Sequence, residues 1–78
     1  MKFKNIFIEL NLVEEIGSSA HKAHPFFIRH EKIVGIVPYF EHDLANCRIL
    51  MSDEVRTELL ILETEHEVIA RINEALGE

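Results

Sequence analysis

The chain of 78 residues has little cysteine and little positive charge, and each scarcity excludes a class of protein. A single cysteine, Cys47, excludes a disulfide framework and fits a reducing, cytoplasmic setting. No apolar run approaches the ~20 residues that cross a bilayer, so we expect no membrane partner. Eight basic residues against fourteen acidic ones give a net charge of −6, which disfavours nucleic-acid binding by phosphate neutralisation.

Apolar residues, in contrast, are abundant. They make up 47% of the chain, which is high for a single domain spanning residues 1–78. A domain of this size has a small core and much surface per unit volume. We therefore expect part of the apolar content to face a partner. A second copy of the chain, in a homodimer or larger assembly, is the simplest partner, and another protein is the alternative.

The N-terminal third predicts a strand followed by irregular structure. Over residues 3–12, Ile6, Ile8, Leu10 and Leu12 alternate with polar positions, which is typical of a strand with one apolar face. Helical spacing is the alternative, and the β-branched and aromatic content favours the strand. We expect one helical turn at 13–16. Residues 17–24 are small and polar and predict a mobile loop.

The rest of the chain predicts short strands and one helix. The helix covers about residues 65–76, with Thr64 as N-cap, Glu67 completing a capping box and Gly77 as the residue that ends it. The expected fold is α+β, an antiparallel sheet of four to five short strands with one C-terminal helix. The remaining strands are predicted at 26–29, 33–37, 47–51 and 57–63, with turns at 30–32, 41–46 and 52–56.

Both faces of this sheet are expected to be apolar. Leu59 and Ile61 point to one face of their strand, and Leu60 and Leu62 point to the other. One helix covers only one face. The second face must be covered by the N-terminal segment or by a second subunit. We predict a partner interface made of that face and the nearby aromatic residues, namely Phe26, Phe27, Tyr39, Phe40, Leu60 and Leu62.

The order of these elements resembles a known family. An Ile-x-x-Ile strand at Ile33 and Ile36 is followed by a hairpin around residues 49–54, and then by a helix that opens with Glu65-His66-Glu67-Val68-Ile69. Residues 28–76 are in this respect similar to the small flagellar FlbD-type proteins and to comparable small bacterial and phage proteins. The resemblance implies the fold and implies no chemistry.

Two constellations of chemically active residues have competing interpretations. His21 and His24, with further donors from His30, Glu41, His42 and Asp43, are candidate metal ligands, and exposed loop histidines are the alternative. Cys47 and His42 are a candidate thiolate–imidazole pair, and a buried, unreactive thiol is the alternative. In each case we favour the alternative, so we predict no metal, no cofactor and no enzymatic activity.

The predicted function is therefore a small non-enzymatic protein-interaction or regulatory module that acts as a homo-oligomer. One alternative is an acidic inhibitor or decoy of the phage type, directed at a nucleic-acid-binding protein. That hypothesis requires one negative surface carrying Asp53, Glu54, Glu58 and Glu63. A second alternative is a metal or small-ligand binder that uses the histidine-containing loop.

Overall fold

Five antiparallel strands and one helix make up the described part of the chain, residues 7–16, 20–52 and 57–77 of a computed structural model. The sheet has the order β2-β1-β5-β4-β3, and the α+β prediction is confirmed. A single 3₁₀ turn, His30–Lys32, separates β2 from β3. The elements are β1 (Phe7–Ile16), β2 (Ala20–Arg29), β3 (Ile33–Pro38), β4 (Cys47–Met51), β5 (Glu58–Ile61) and the helix α1 (Glu65–Ala75).

The β1–β2 hairpin is longer than the sequence predicts. The two strands pair continuously from Phe7 opposite Arg29 to Ile16 opposite Ala20. The predicted helical turn at 13–16 is therefore wrong, and so is the predicted loop for residues 20–24, while residues 17–19 lie outside the described residues. Pairing with β1 supplies backbone hydrogen bonds that the weak strand preference of these small and polar residues does not indicate.

Pro25 lies in the middle of β2 without disrupting its pairing with β1. Its partner Asn11 directs both backbone groups away from β2: the N–H donates to Glu63 and the carbonyl accepts from Leu62. The Asn11–Pro25 pair is thus a non-hydrogen-bonded pair, in which a missing N–H costs nothing. The backbone nitrogen of Pro25 faces the outer edge of the sheet, where it removes a donor from the exposed strand.

The opposite edge of the sheet is also irregular. Strand β3 carries one extra residue relative to β4, because Ile33 is opposite Met51 whereas Gly35 is already opposite Leu50. The resulting bulge is at Val34, which is exposed. Bulges and prolines on edge strands hinder the addition of a further strand, so both outer edges of this sheet are protected against edge-to-edge pairing.

Helix α1 begins as predicted. Thr64 accepts a hydrogen bond from the Glu67 N–H at 3.3 Å, and the Glu67 carboxylate accepts from the Thr64 N–H at 3.1 Å, which completes the capping box. Gly77 has a φ of 82° just after the helix, a conformation that glycine adopts without strain. The helix buries Val68 and Ala75, whereas Ile69, next to Val68, is 45% exposed.

The helix lies on one side of the sheet, which we call the helix face. Alternate residues of the central strands point there and form one core with Val68 and Ala75, and Phe26, Ile33, Ile36, Met51 and Ile72 pack around it. Burial of these apolar side chains is the main source of stability in such a domain. The sheet contributes Ile8, Leu10, Leu12, Ile28, Cys47, Ile49, Leu59 and Ile61 to this core.

A buried carboxylate joins β1 to the start of the helix. Glu63, only 6% exposed, accepts from the Asn11 N–H and from the Asn11 side-chain amide, both at 2.9 Å. Arg71 donates to the Glu9 carbonyl at 2.6 Å and lies 3.9 Å from the Glu63 carboxylate. Beyond the end of β5, Glu63 satisfies the backbone N–H of Asn11 and Arg71 satisfies the backbone carbonyl of Glu9. These two side chains therefore make the hydrogen bonds to β1 that a neighbouring strand would otherwise make.

Candidate functional site

The side of the sheet opposite the helix, which we call the open face, has two different halves. At the start of β1, Phe7 and Phe27 are 54% and 63% exposed. Phe27 is opposite Glu9 and Phe7 is opposite Arg29, so the two phenylalanines are diagonal neighbours on one face. We call these four residues the open-face quartet. Large aromatic side chains exposed side by side are typical of contact surfaces.

The other half of the open face is covered by residues 39–46, the loop between β3 and β4, which we call the cover loop. The His42 ring packs edge-on against the His21 ring of β2, with centroids 4.6 Å apart. Arg48 of β4 lies 5.2 Å from the Tyr39 ring centroid. Val13 points to this face by strand alternation, yet it is buried and lies outside the helix-face core. We attribute its burial to the cover loop.

The predicted interface residues are divided between the two faces. Phe26 packs against the helix-face core and is not available to a partner. Phe27 belongs to the open-face quartet. Tyr39 is half-buried in the cover loop, and Phe40, next to it, is 89% exposed. Leu60 and Leu62 are half-buried on β5 and just beyond it, and strand alternation directs them to the open face.

Phe7 is the functional candidate that sequence reasoning missed. It interrupts the alternation of polar and apolar residues in β1, because it lies on the open face among polar residues. The other large apolar residues of the strand's first half point to the helix face. That interruption was the available signal: an aromatic residue on the polar side of a strand is exposed unless another element covers it.

The geometry does not support His21 and His24 as a candidate pair of metal ligands. Both residues lie in β2, where positions three apart point to opposite faces. His24 lies 3.0 Å from Glu14, while His21 contacts His42 on the open face. Among residues 7–16, 20–52 and 57–77, no group of three histidine, cysteine or acidic side chains is arranged to hold a metal ion.

Cys47 and His42 do not form a pair. Cys47 is buried in the helix-face core. Burial, followed by the carboxylates of Glu65, Glu63 and Glu67, raises the pKa of the Cys47 thiol to about 11. The neutral thiol is therefore the dominant form at neutral pH, whereas nucleophilic catalysis uses the thiolate.

The acidic surface required by the inhibitor hypothesis is not assembled by the described acids. Glu63 is buried and bonded to Asn11, and Glu58 lies 3.3 Å from Arg48. Asp53 and Glu54 lie outside the described residues. Neither Glu58 nor Glu63 therefore presents a free carboxylate of the kind that the hypothesis needs.

A cleft of 450 Å³ lies between the start of β1 and the second half of α1. Its walls include Phe7, Glu9, Arg71 and Glu74. The guanidinium of Arg71 is already bonded to the Glu9 carbonyl. The cleft adjoins the open-face quartet through Phe7 and Glu9, and it extends the accessible surface around the quartet.

No protein-family model matches the chain, and no curated protein or solved structure is significantly similar to it. The resemblance to FlbD-type proteins therefore stays a prediction. Among residues 7–16, 20–52 and 57–77, no helix is long and apolar enough to cross a membrane, since α1 has eleven residues.

Proposed function

We propose that this protein is a small non-enzymatic interaction or regulatory module that acts as a homo-oligomer, with the open-face quartet as the contact between copies. The observation that supports this proposal is the exposure of Phe7 and Phe27 side by side on a sheet face. Aromatic side chains anchor protein interfaces because they bury a large rigid surface at low entropic cost.

The form of the sheet favours contact through this face over contact through an edge. Pro25 and the bulge at Val34 interrupt the backbone hydrogen-bonding pattern on β2 and β3, which are the two outer strands. Continuous strand addition between copies is hindered at both edges. Association through the face needs no backbone hydrogen bonds and buries the phenylalanines directly.

The charges of the quartet suit a second copy of the same chain. Each strand contributes one phenylalanine and one charged residue, and the two charges, Glu9 and Arg29, have opposite signs. Arg29 also pairs with Glu31 of its own chain, in an exposed ion pair that a second carboxylate can join. A two-fold axis brings the same patch of both copies together, so a self-associating surface must be complementary to itself. Facing quartets satisfy this condition when Glu9 of one copy meets Arg29 of the other around the four phenylalanines.

Sedimentation equilibrium tests the proposal, with Phe27→Ser as the disrupting variant and Phe40→Ser as the matched control. We expect wild type and Phe40→Ser to have at least twice the chain mass of 9.1 kDa. Phe27→Ser acts twice in a symmetric dimer, so we expect its dissociation constant to rise about a thousandfold. Far-UV circular dichroism establishes that each variant is folded.

Two results would overturn the proposal. One is a wild-type chain that stays monomeric up to the highest soluble concentration. The other is a dimer that Phe40→Ser dissociates and Phe27→Ser leaves intact, which would place the contact on the cover loop instead of the quartet.

A further inference from the structure

Asn46 attaches the cover loop to β5, with its N–H donating to the Ile61 carbonyl at 2.9 Å and its side-chain amide to the Leu62 carbonyl at 2.6 Å. Within the loop, His42 fixes the conformation of residues 42–45 through an unusual pair of hydrogen bonds. Its ring Nδ1 accepts from the Leu44 N–H at 3.0 Å and from the Ala45 N–H at 2.9 Å. Asparagine and aspartate commonly make such bonds to the backbone two and three residues further on. At this position an imidazole nitrogen takes that role, and unlike an amide it can be protonated.

These hydrogen bonds define the protonation state of the His42 ring in the closed loop. A nitrogen that accepts two N–H donors carries no proton, so the neutral ring has its hydrogen on Nε2. The Nε2 atom is itself buried and has no hydrogen-bond partner in the described structure. Histidine ionises between about pH 5 and 8, and the ionised ring has a proton on both nitrogens. That second proton would point at the Leu44 and Ala45 donors.

The titratable and charged groups near His42 belong to β1, β2, β4 and the cover loop itself. His21 of β2 touches the ring, and Tyr39 lies 5.7 Å away within the loop itself. Arg48 of β4 is positioned over Tyr39. From β1, Glu15 is opposite His21 and is exposed, and within the loop Glu41 and Asp43 flank His42 and are exposed. The groups packed closest to the ring are therefore neutral or positive.

We propose that the cover loop is a pH-sensitive device: neutral His42 fixes residues 42–45 in the closed form over the end of the open face, and protonation of His42 in mild acid releases this segment while Asn46 stays bonded to β5. Release breaks both bonds to Nδ1 and exposes Val13 and Ala45, which are buried in the closed form. The inference does not depend on the proposed self-association, because the cover loop and the open-face quartet occupy different halves of the face.

NMR of the full chain tests the device directly. Long-range proton–nitrogen correlation at pH 7.5 should show the His42 ring with its proton on Nε2. Between pH 7.5 and 5, the hydrogen-exchange protection factors of the Leu44 and Ala45 amides should fall at least about tenfold, since two hydrogen bonds are lost. The protection of core amides such as that of Ile49 should not change.

His42→Asn is the matched control variant. The side-chain oxygen of asparagine can accept the same two backbone hydrogen bonds and does not titrate. We expect this variant to keep both amides protected at pH 5 and 7.5, whereas His42→Ala should lose the protection at both pH values. Tyr39 is the chain's single tyrosine and there is no tryptophan, so tyrosine fluorescence is a second probe of the same loop.

Three outcomes would overturn the proposal. They are a His42 ring with its proton on Nδ1 at pH 7.5, unchanged protection of the Leu44 and Ala45 amides at pH 5, and an equal loss of protection in His42→Asn. Sedimentation of His42→Asn distinguishes this failure from failure of the proposed assembly, because the substitution leaves the open-face quartet intact.

Discussion

The two faces of this sheet are built from similar residues and have different environments. In β5, Ile61 is fully buried beneath the helix while Leu60, one residue away, is only half-buried on the open face. The same contrast occurs in the hairpin, where Ile28 is buried and Phe27 is exposed. Hydrophobicity alone therefore does not determine burial in this domain. The position of the single helix decides which half of each apolar strand is available for contact with another molecule.

The largest expected difference between the faces is in the cost of removing a side chain. Ile61→Ala leaves a cavity in the helix-face core, so we expect it to reduce the free energy of unfolding by about 4 kcal/mol. Leu60→Ala, the matched substitution on the same strand, removes half-exposed surface and should cost about 1 kcal/mol. Urea unfolding of the dilute protein, followed by circular dichroism, measures both. Equal losses would show that the open face is as well covered as the helix face.

Alkaline pH should weaken the helix face through Cys47. Its pKa is raised from the ordinary 9.0 to about 11, so the folded chain keeps the thiol protonated where the unfolded chain does not. The stabilisation is complete below pH 9 and is lost as the pH rises through 11. A shift of two units corresponds to about 3 kcal/mol.

Cys47→Ala is the control for this pH dependence, because it removes the thiol and leaves the other groups that titrate in alkali. The free energy of unfolding of the wild type minus that of the variant should be constant below pH 9. It should fall by about 3 kcal/mol between pH 9 and pH 11 and change no further at higher pH. A difference that stays constant throughout would mean that the thiol ionises in the folded protein as it does in the unfolded chain.

The helix face was largely predictable from the sequence because its signals are local. Strand alternation correctly assigned Ile8, Leu10 and Leu12 to one side, and Thr64 with Glu67 marked the start of the helix. The second half of the hairpin was not predictable in this way. Residues 20–24 become a strand because they pair with β1, and no property of their own composition indicates that pairing.

The features of the open face depend on contacts that a sequence pattern does not show. Histidine is not a usual turn-forming residue, so the pair of bonds by which His42 shapes the cover loop has no recognised sequence signature. The same holds at the start of the helix face, where the inhibitor hypothesis needs Glu63 on an acidic surface but the carboxylate is bonded to Asn11, 52 residues away in the chain. Only the folded arrangement brings such partners together, whereas the capping box lies within four consecutive residues.

The smallest expected effect of the three concerns Glu63, where the helix face begins. Glu63→Ala leaves the Asn11 N–H and side-chain amide without their acceptor, and a buried unpaired donor costs about 2 kcal/mol. Glu63→Gln keeps one oxygen for the Asn11 N–H and should cost about half as much. Glu74→Gln, on the exposed side of α1, is the control and should change stability by less than about 0.5 kcal/mol.

Because Glu63 completes the edge of β1 where β5 ends, its removal should also increase hydrogen exchange at Asn11 before it affects Ile49. If the Glu63 variants lose no more stability than Glu74→Gln, water satisfies the backbone groups at the β1 edge as well as the carboxylate does. Glu63 would then contribute nothing to the stability of the helix face beyond the end of β5.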